Sequence, residues 1–471
     1  MAGATLRKAI QVNSNLQMAD FIQHLHPALQ ALIRVVLFVM PSLMLVPGII
    51  WWERRLLSWM QDRIGPNRVG NITFSRTSRF VPSFLQGKKF RLFGLLQPIA
   101  DGMKLFFKED ITPSAVDKVI YFVAPALALF PAFALGGTIP WGPYGFLTPV
   151  ADVNIGVLYI MAISSLGVYG IVLAGYASDN KFSLMGGLRS SAQLISYELA
   201  MGMSVACIVM ATGSLKPSDM VTAQRGALWG LDFAPFTWIE NWNILTPYGL
   251  VAAIVFGVCM IAETNRPPFD LPEAENELVA GYHTEYSSMK FAVFFMGEYA
   301  AMFVYGVILC TLFIGSWHLL PIRFAFMAKQ YPAFGDVWNM LDTLNGSSIL
   351  APVFVVLKAV AVVTTYIWVR ATLPRLRYDQ LMSLGWKSLL PLAVANLVVV
   401  AIWIVASRVA SPIMGLAAVA VSGAILYALY KAINKINVHE RPNFASREVL
   451  MVDEPPQTRE VELVEPAAAA S

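Results

Sequence analysis

Apolar residues gather along this chain into long runs separated by short polar segments, with little of the period-two alternation of a half-buried strand. Runs long enough to cross a bilayer, about 20 residues each, fall at about 31–52, 119–140, 154–177, 192–213, 246–263, 290–314, 347–369, 388–407 and 412–431. Backbone polar groups must be satisfied internally in lipid, so these nine runs are expected to be helices. A different pattern follows the first run. Leu92, Leu95, Leu96, Ile99, Met103 and Phe106 recur at helical spacing, with Gln97, Asp101, Lys104 and Lys108 opposite. This stretch is too mixed to span and predicts an amphipathic helix lying along the interface, or a short helix packed on loops. The expected fold class is an all-α integral membrane protein: eight core transmembrane helices, a ninth, and one amphipathic interfacial helix.

Composition agrees, with 57% hydrophobic and only 14% charged residues and a mean hydropathy of +0.59. The placement of charge says more than its net value of +4. Loop 53–118 carries twelve Lys/Arg and 370–387 carries four, whereas 141–153 carries none and 214–245 and 315–346 carry two each. The positive-inside rule then puts 53–118, 178–191, 264–289 and 370–387 in the cytoplasm. The chain is expected to divide into an external segment 1–30, a core 31–407, an extra helix 408–431 and a disordered cytoplasmic tail 432–471. Residues 1–30 lack the apolar core and small-residue cleavage site of a signal peptide. Cys207, Cys259 and Cys310 lie singly in apolar runs and His24, His26, His283, His318 and His439 are scattered, so no iron–sulfur or zinc ligand set is expected.

Candidate chemistry concentrates in 262–286, where Glu263, Asp270, Glu273, Glu275, Glu277 and Glu285 crowd between two spans. Carboxylates so close raise one another's pKa and share protons, unless the loop is simply solvated. Arg266 and two prolines stiffen its entry, and Glu298 continues the charge into the next span. Glu198 and Lys358 also lie inside spans, where facing lipid costs roughly 2.5–3.5 kcal/mol, so they should face the bundle interior, pair, or line water. At the end of the first span Glu53 needs a partner, and Arg54 is the nearest. Trp51, Trp52 and Arg55 read as interfacial anchors. Arg370, Arg375, Arg377 and Lys387 form a basic segment on the same side as the acidic loop.

Several stretches together resemble one family: Glu53-Arg-Arg with Gly-Pro-Asn67, Leu96-Gln-Pro-Ile-Ala-Asp-Gly-Met-Lys-Leu105, Ala174-Gly-Tyr-Ala-Ser, Gly187-Leu-Arg, Ile195-Ser-Tyr-Glu, the acidic loop, and the basic segment from Arg370 to Gln380. The chain resembles the H subunit of the proton-pumping NADH:quinone oxidoreductase, respiratory complex I, over about 53–391. The acidic loop is the most specific part of the match. The resemblance implies an eight-helix core in the bacterial plasma membrane that forms the quinone entry and chamber with other subunits of the complex. It implies quinone-binding positions at Glu53, Arg54, Arg266 and Asp270. It implies a proton path through Glu198, Glu263, Glu273, Glu275, Glu277, Glu285 and Glu298, and contact with the peripheral arm through Arg370, Arg375, Arg377 and Lys387. Quinone would be a substrate, with flavin and iron–sulfur clusters on partner subunits and no nucleic acid involved. Residues 71–90, the ninth run and both termini depart from the family pattern. Two alternatives stay open. A proton-coupled transporter would show inverted repeats, but the charged loops differ in length and content. The anchor subunit of a membrane-bound hydrogenase shares much of the pattern, and the nearly complete acidic loop favours the quinone enzyme.

Overall fold

The computed structural model describes residues 27–70, 72–73, 89–90, 93–143, 148–230, 236–270, 279–331, 334–345 and 350–409, with single positions between 417 and 431. The terminal segments 1–26 and 432–471, most of 71–92 and the acidic core 271–278 lie outside them. The single positions described between 417 and 431, within the expected ninth helix, are helical.

Among the described residues, seven helices are long and apolar enough to cross a membrane. They correspond to α1 (Pro27–Met60), α3 (Lys118–Leu135), α4 (Gly156–Ala177), α5 (Lys181–Thr212), α8 (Ser288–Phe313), α11 (Ala351–Thr372) and α13 (Leu390–Val409). The eighth apolar helix, α7 (Pro247–Glu263), has 17 residues, near the lower limit for a span. Each predicted run from 31 to 407 thus becomes a helix. Shorter elements join them: α2 (Gln97–Phe107), α6 (Pro217–Ala223), α9 (Phe324–Gln330), α10 (Gly335–Asn345) and α12 (Tyr378–Ser383), which enters α13 through a π-helical turn at Leu384–Leu389. Ile72–Thr73 and Lys89–Phe90 pair as a two-residue antiparallel ladder.

Local chemistry sets the helix starts. The Asp117 carboxylate accepts from the backbone N–H of Val119 at 3.1 Å and caps α3, Asn180 does the same for Phe182 in α5, and Thr246 accepts from Gly249 where Pro247 opens α7. Such caps satisfy amide groups that a helix leaves orphaned.

The bundle is centred on α8, which packs against α3, α11, α1 and α7. Neighbour follows neighbour through α3, α4, α5 and α7, and α13 closes on α5. Small residues permit the tightest crossings. A Cβ on Gly170 of α4 would stand 2.6 Å from the Ala128 backbone nitrogen of α3, so only glycine lets those backbones meet.

Three departures from the sequence reading have physical causes. Residues 181–191, expected as part of a loop, are the first three turns of α5. Their mixed polarity hides a packing face in which Ser183, Gly186, Gly187 and Ser190 are buried. Loops 214–245 and 315–346 carry short helices and are tied together, because Glu240 donates its N–H to the Pro321 carbonyl at 2.9 Å and Arg323 donates to Trp238 at 2.8 Å. The basic segment 370–387 is partly helical, through α12 and the π turn.

The amphipathic helix, expected near 92–108, spans 97–107 and is pinned at both ends. At its start, Trp51 of α1 donates to the Phe93 carbonyl at 3.1 Å and Arg54 meets Asp101 at 2.7 Å. At its end, the Ser288 hydroxyl donates to the carbonyls of Leu105 and Lys108, and Lys290 pairs with Asp110 at 3.1 Å. Ile99, Met103, Phe106 and Phe107 stay exposed.

Candidate functional site

Buried charge collects where the ends of α1, α7, α8 and α11 meet. Glu53 is 5% exposed and is paired with Arg370 from the end of α11. Arg54, the partner expected from sequence, points elsewhere and pairs with Asp101, because adjacent helical residues diverge by about 100° around the axis. The Tyr299 hydroxyl of α8 lies against Glu53, and the Arg266 guanidinium sits 4.2 Å over the Tyr299 ring. Arg266 reaches Glu298 at 3.4 Å, and the Tyr282 hydroxyl donates to the same carboxylate at 3.0 Å. A cavity of about 10 Å³ lies between Glu53, Arg266, Tyr366 and Arg370.

From Glu298 the polar sequence runs deeper. Glu298, Tyr282, Glu263, Tyr305 and Ser164 line a cavity of about 70 Å³, room for a few waters, since one needs at least about 10–15 Å³. Glu263, the last residue of α7, faces the Tyr305 hydroxyl and keeps one enclosed carboxylate oxygen without a hydrogen bond. Beyond it Glu198 of α5 accepts from the hydroxyls of Ser165 at 2.7 Å and Ser164 at 3.3 Å in α4. Carboxylates thus alternate with hydroxyls along one interior line, an arrangement that water can complete into a proton wire.

The neighbouring turn makes this possible. Gly281–His283 lies against Gly186 of α5, where a Cβ would come within 2.9 Å of the Tyr282 nitrogen. Ser183 donates to the Tyr282 carbonyl at 2.9 Å, fixing the turn so that the Tyr282 ring reaches Glu298. Tyr286 stacks on Tyr121 with centroids 4.2 Å apart, and burial, then the Tyr121 phenol, pushes its hydroxyl above its ordinary range.

The remaining sequence candidates scatter. Asp270 is buried and takes Arg375 at 2.9 Å, closing the acidic loop's entry onto the basic segment. Glu285 faces the α5 cap, accepting from the Asn180 amide at 2.8 Å, apart from the interior line. Arg377 and Lys387 are exposed. Glu273, Glu275 and Glu277 lie outside the described residues. Lys358 pairs with neither Glu198 nor Glu298. It donates to the carbonyls of Ile314 and His318 where α8 ends, with its ammonium 4.2 Å over Trp242, which itself donates to Glu240 at 2.9 Å. It thereby satisfies the C-cap carbonyl of α8 and a second carbonyl in the segment that follows. Sequence reasoning missed the hydroxyls: Tyr299, Tyr305, Ser164 and Ser165 read as ordinary members of apolar runs, and Tyr282 as one more residue of the acidic loop. The faint signal was Tyr299 directly after Glu298.

A bundle of membrane-length helices enclosing ion pairs and a polar cavity defines a multi-pass membrane protein with a charged interior. Residues 33–401 match the family model described as NADH dehydrogenase. The NADH-quinone oxidoreductase H subunit of Ralstonia pickettii is 43% identical over 383 residues, covering 80% of this chain and 93% of its own. The second H subunit of Koribacter versatilis is 42% identical over 394 residues (80% and 97%), and the first H subunit of Geobacter metallireducens is 42% identical over 383 residues (80% and 97%). The chain belongs to the H-subunit family of NADH-quinone oxidoreductase, and is therefore a membrane component of complex I that works among the other subunits of that assembly.

Proposed function

We infer that this chain forms the quinone entry and part of the quinone chamber of its complex, and couples quinone reduction to proton translocation. The observation that carries this is the continuous interior line from Glu53 and Arg370, through Arg266, Glu298 and Tyr282, to Glu263 and Glu198. The exposed apolar face of α2 beside the end of α1 suits an isoprenoid tail arriving from the bilayer. Electrons come from flavin and iron–sulfur clusters on partner subunits. Reduction of a quinone to a quinol takes up two electrons and two protons, so charge near the headgroup changes with each turnover. Glu53, Arg54, Arg266 and Asp270 hold and screen that charge. Glu273, Glu275 and Glu277 answer it by shifting their shared proton occupancy, with Glu285 also on the proton path, and Glu298, Glu263 and Glu198 relay the shift inward. Arg370, Arg375, Arg377 and Lys387 join this face to the peripheral arm.

The carboxylate relay is tested by Glu275→Gln/Glu277→Gln in the intact complex reconstituted in vesicles. Gln keeps size and hydrogen bonding and removes titration. NADH oxidation by an artificial acceptor should persist while quinone reduction and the linked proton gradient fall together. Parent rates of both would reduce the loop to a solvated acidic patch.

In this reading the chain sits in the bacterial plasma membrane, and its Lys/Arg distribution supports a cytoplasmic side for 53–118 and 264–289. In right-side-out vesicles an impermeant thiol reagent should label a single cysteine at position 225 and spare one at 275. The reverse pattern inverts the topology.

A further inference from the structure

One side chain of α5 ties down both ends of the turn that carries Arg266. Gln193 is 0% exposed. Its amide nitrogen carries two hydrogens and donates to two carbonyls, those of Ala262 and Phe269, each at 2.9 Å. The reverse orientation would set the amide oxygen against two carbonyl oxygens, so the partners fix which way it faces. The two carbonyls bracket the turn: Ala262 precedes Glu263, Phe269 precedes Asp270, and Arg266 lies between them. The turn holds itself through the Asn265 N–H to the Ala262 carbonyl at 3.2 Å and the Phe269 N–H to the Arg266 carbonyl at 2.9 Å. Pro267 and Pro268 offer it no N–H, and Asn265 adopts a left-handed backbone with φ 49°, which needs surroundings that hold it. One helical turn further along α5, the Tyr197 ring meets the Phe269 ring edge-on with centroids 5.5 Å apart.

We propose that Gln193 is a positioning residue for quinone reduction: its amide clamps the segment 262–269 in the one shape that aims Arg266 at Glu298 and Asp270 at Arg375. The inference rests on the reading of the interior line given above. Gln193 touches none of the charged groups; it acts through the backbone from which Glu263, Arg266 and Asp270 project. The geometry leaves little slack. Arg266 stands 3.4 Å from Glu298, so a shift of about 1 Å takes the pair beyond the ~4 Å of an ion pair. Misplacement of that size far from the reacting atoms is enough to slow turnover. The clamp also joins both ends of the line, because Gln193 and Glu198 belong to one helix while Glu263 and Arg266 hang from its amide. An apolar side chain of the same length would fill the same space and leave both carbonyls without the donor.

The test uses the intact complex with a short-chain quinone, all rates normalised to flavin. Gln193→Met keeps length and volume and removes the donor. It should lower kcat about tenfold, the scale of one lost buried hydrogen bond, with KM for the quinone and NADH oxidation by an artificial acceptor unchanged. Gln193→Glu supplies a donor only while its carboxyl holds a proton. Its kcat relative to the parent should therefore be highest near about pH 6 and fall towards about pH 9, as the ionised group turns acceptor-only against two carbonyls. A residue that merely fills space would give a ratio independent of pH. Parent kcat in Gln193→Met overturns the proposal, and if that variant does not assemble, a flat ratio in Gln193→Glu overturns it instead. Arg266→Met, measured alongside, separates the two levels of inference. If Arg266→Met is impaired while Gln193→Met matches the parent, the clamp is dispensable and the interior line stands. If both match the parent, the line itself is misread and the clamp falls with it.

Discussion

Arg266→Met should abolish most quinone reduction while leaving NADH oxidation by an artificial acceptor intact. Arg266 is 7% exposed. It is the cation nearest Glu298, and it holds the Tyr299 ring beneath its guanidinium. Removing one member of a buried pair strands the other and costs about 3–5 kcal/mol. Glu298 can lower that cost only by taking a proton, which leaves it neutral and unable to relay another. The loss should therefore appear both in the amount of assembled complex and in turnover per complex. Native gels measure the first, and quinone reduction normalised to flavin measures the second. Arg266→Met/Glu298→Gln removes the stranded charge, so assembly should recover towards the parent level while the proton gradient stays low. A double variant that recovers both would make the pair a packing device with no part in coupling.

The apolar periodicity made the eight core helices legible, because a bilayer tolerates few other solutions. Helical spacing also located α2, although only tertiary contacts fix its ends. What the sequence concealed were partners brought together by the fold. Glu53 and Arg370 are 317 residues apart, and no local rule links them, whereas Arg54 is adjacent and points away. The first turns of α5 read as a loop in sequence because they are polar and glycine-containing, and only the Tyr282 turn that packs on Gly186 gives them a buried face. Interior charge was easy to find, as carboxylates are conspicuous in apolar runs. The tyrosine and serine hydroxyls joining those carboxylates were not, since the same residue types are common packing elements in helix bundles.

Arg370→Met should be far more damaging than Arg54→Ala, although both cations lie at the same end of the bundle. The Arg54–Asp101 pair has side chains 46% and 34% exposed, and water screens such pairs to about 0–1 kcal/mol. Its loss should loosen α2 and depress quinone-dependent oxidation in part, leaving the protein in the membrane. Arg370 instead neutralises Glu53, whose side chain is 7% exposed and which also meets the Tyr299 hydroxyl. Stranding that carboxylate falls in the same range of about 3–5 kcal/mol as any broken buried pair. Four forms of the complex complete the cycle: parent, Glu53→Gln, Arg370→Met and the double variant. If the two groups act through each other, Glu53→Gln should be milder than Arg370→Met, and the double variant should resemble Glu53→Gln. The Michaelis constant for a short-chain quinone separates the roles. A rise in KM with unchanged kcat places the pair in quinone access, and a fall in kcat places it in coupling. Additive losses in the double variant, with Arg54→Ala as harmful as Arg370→Met, would mean that net positive charge at this membrane face matters and the buried pair does not.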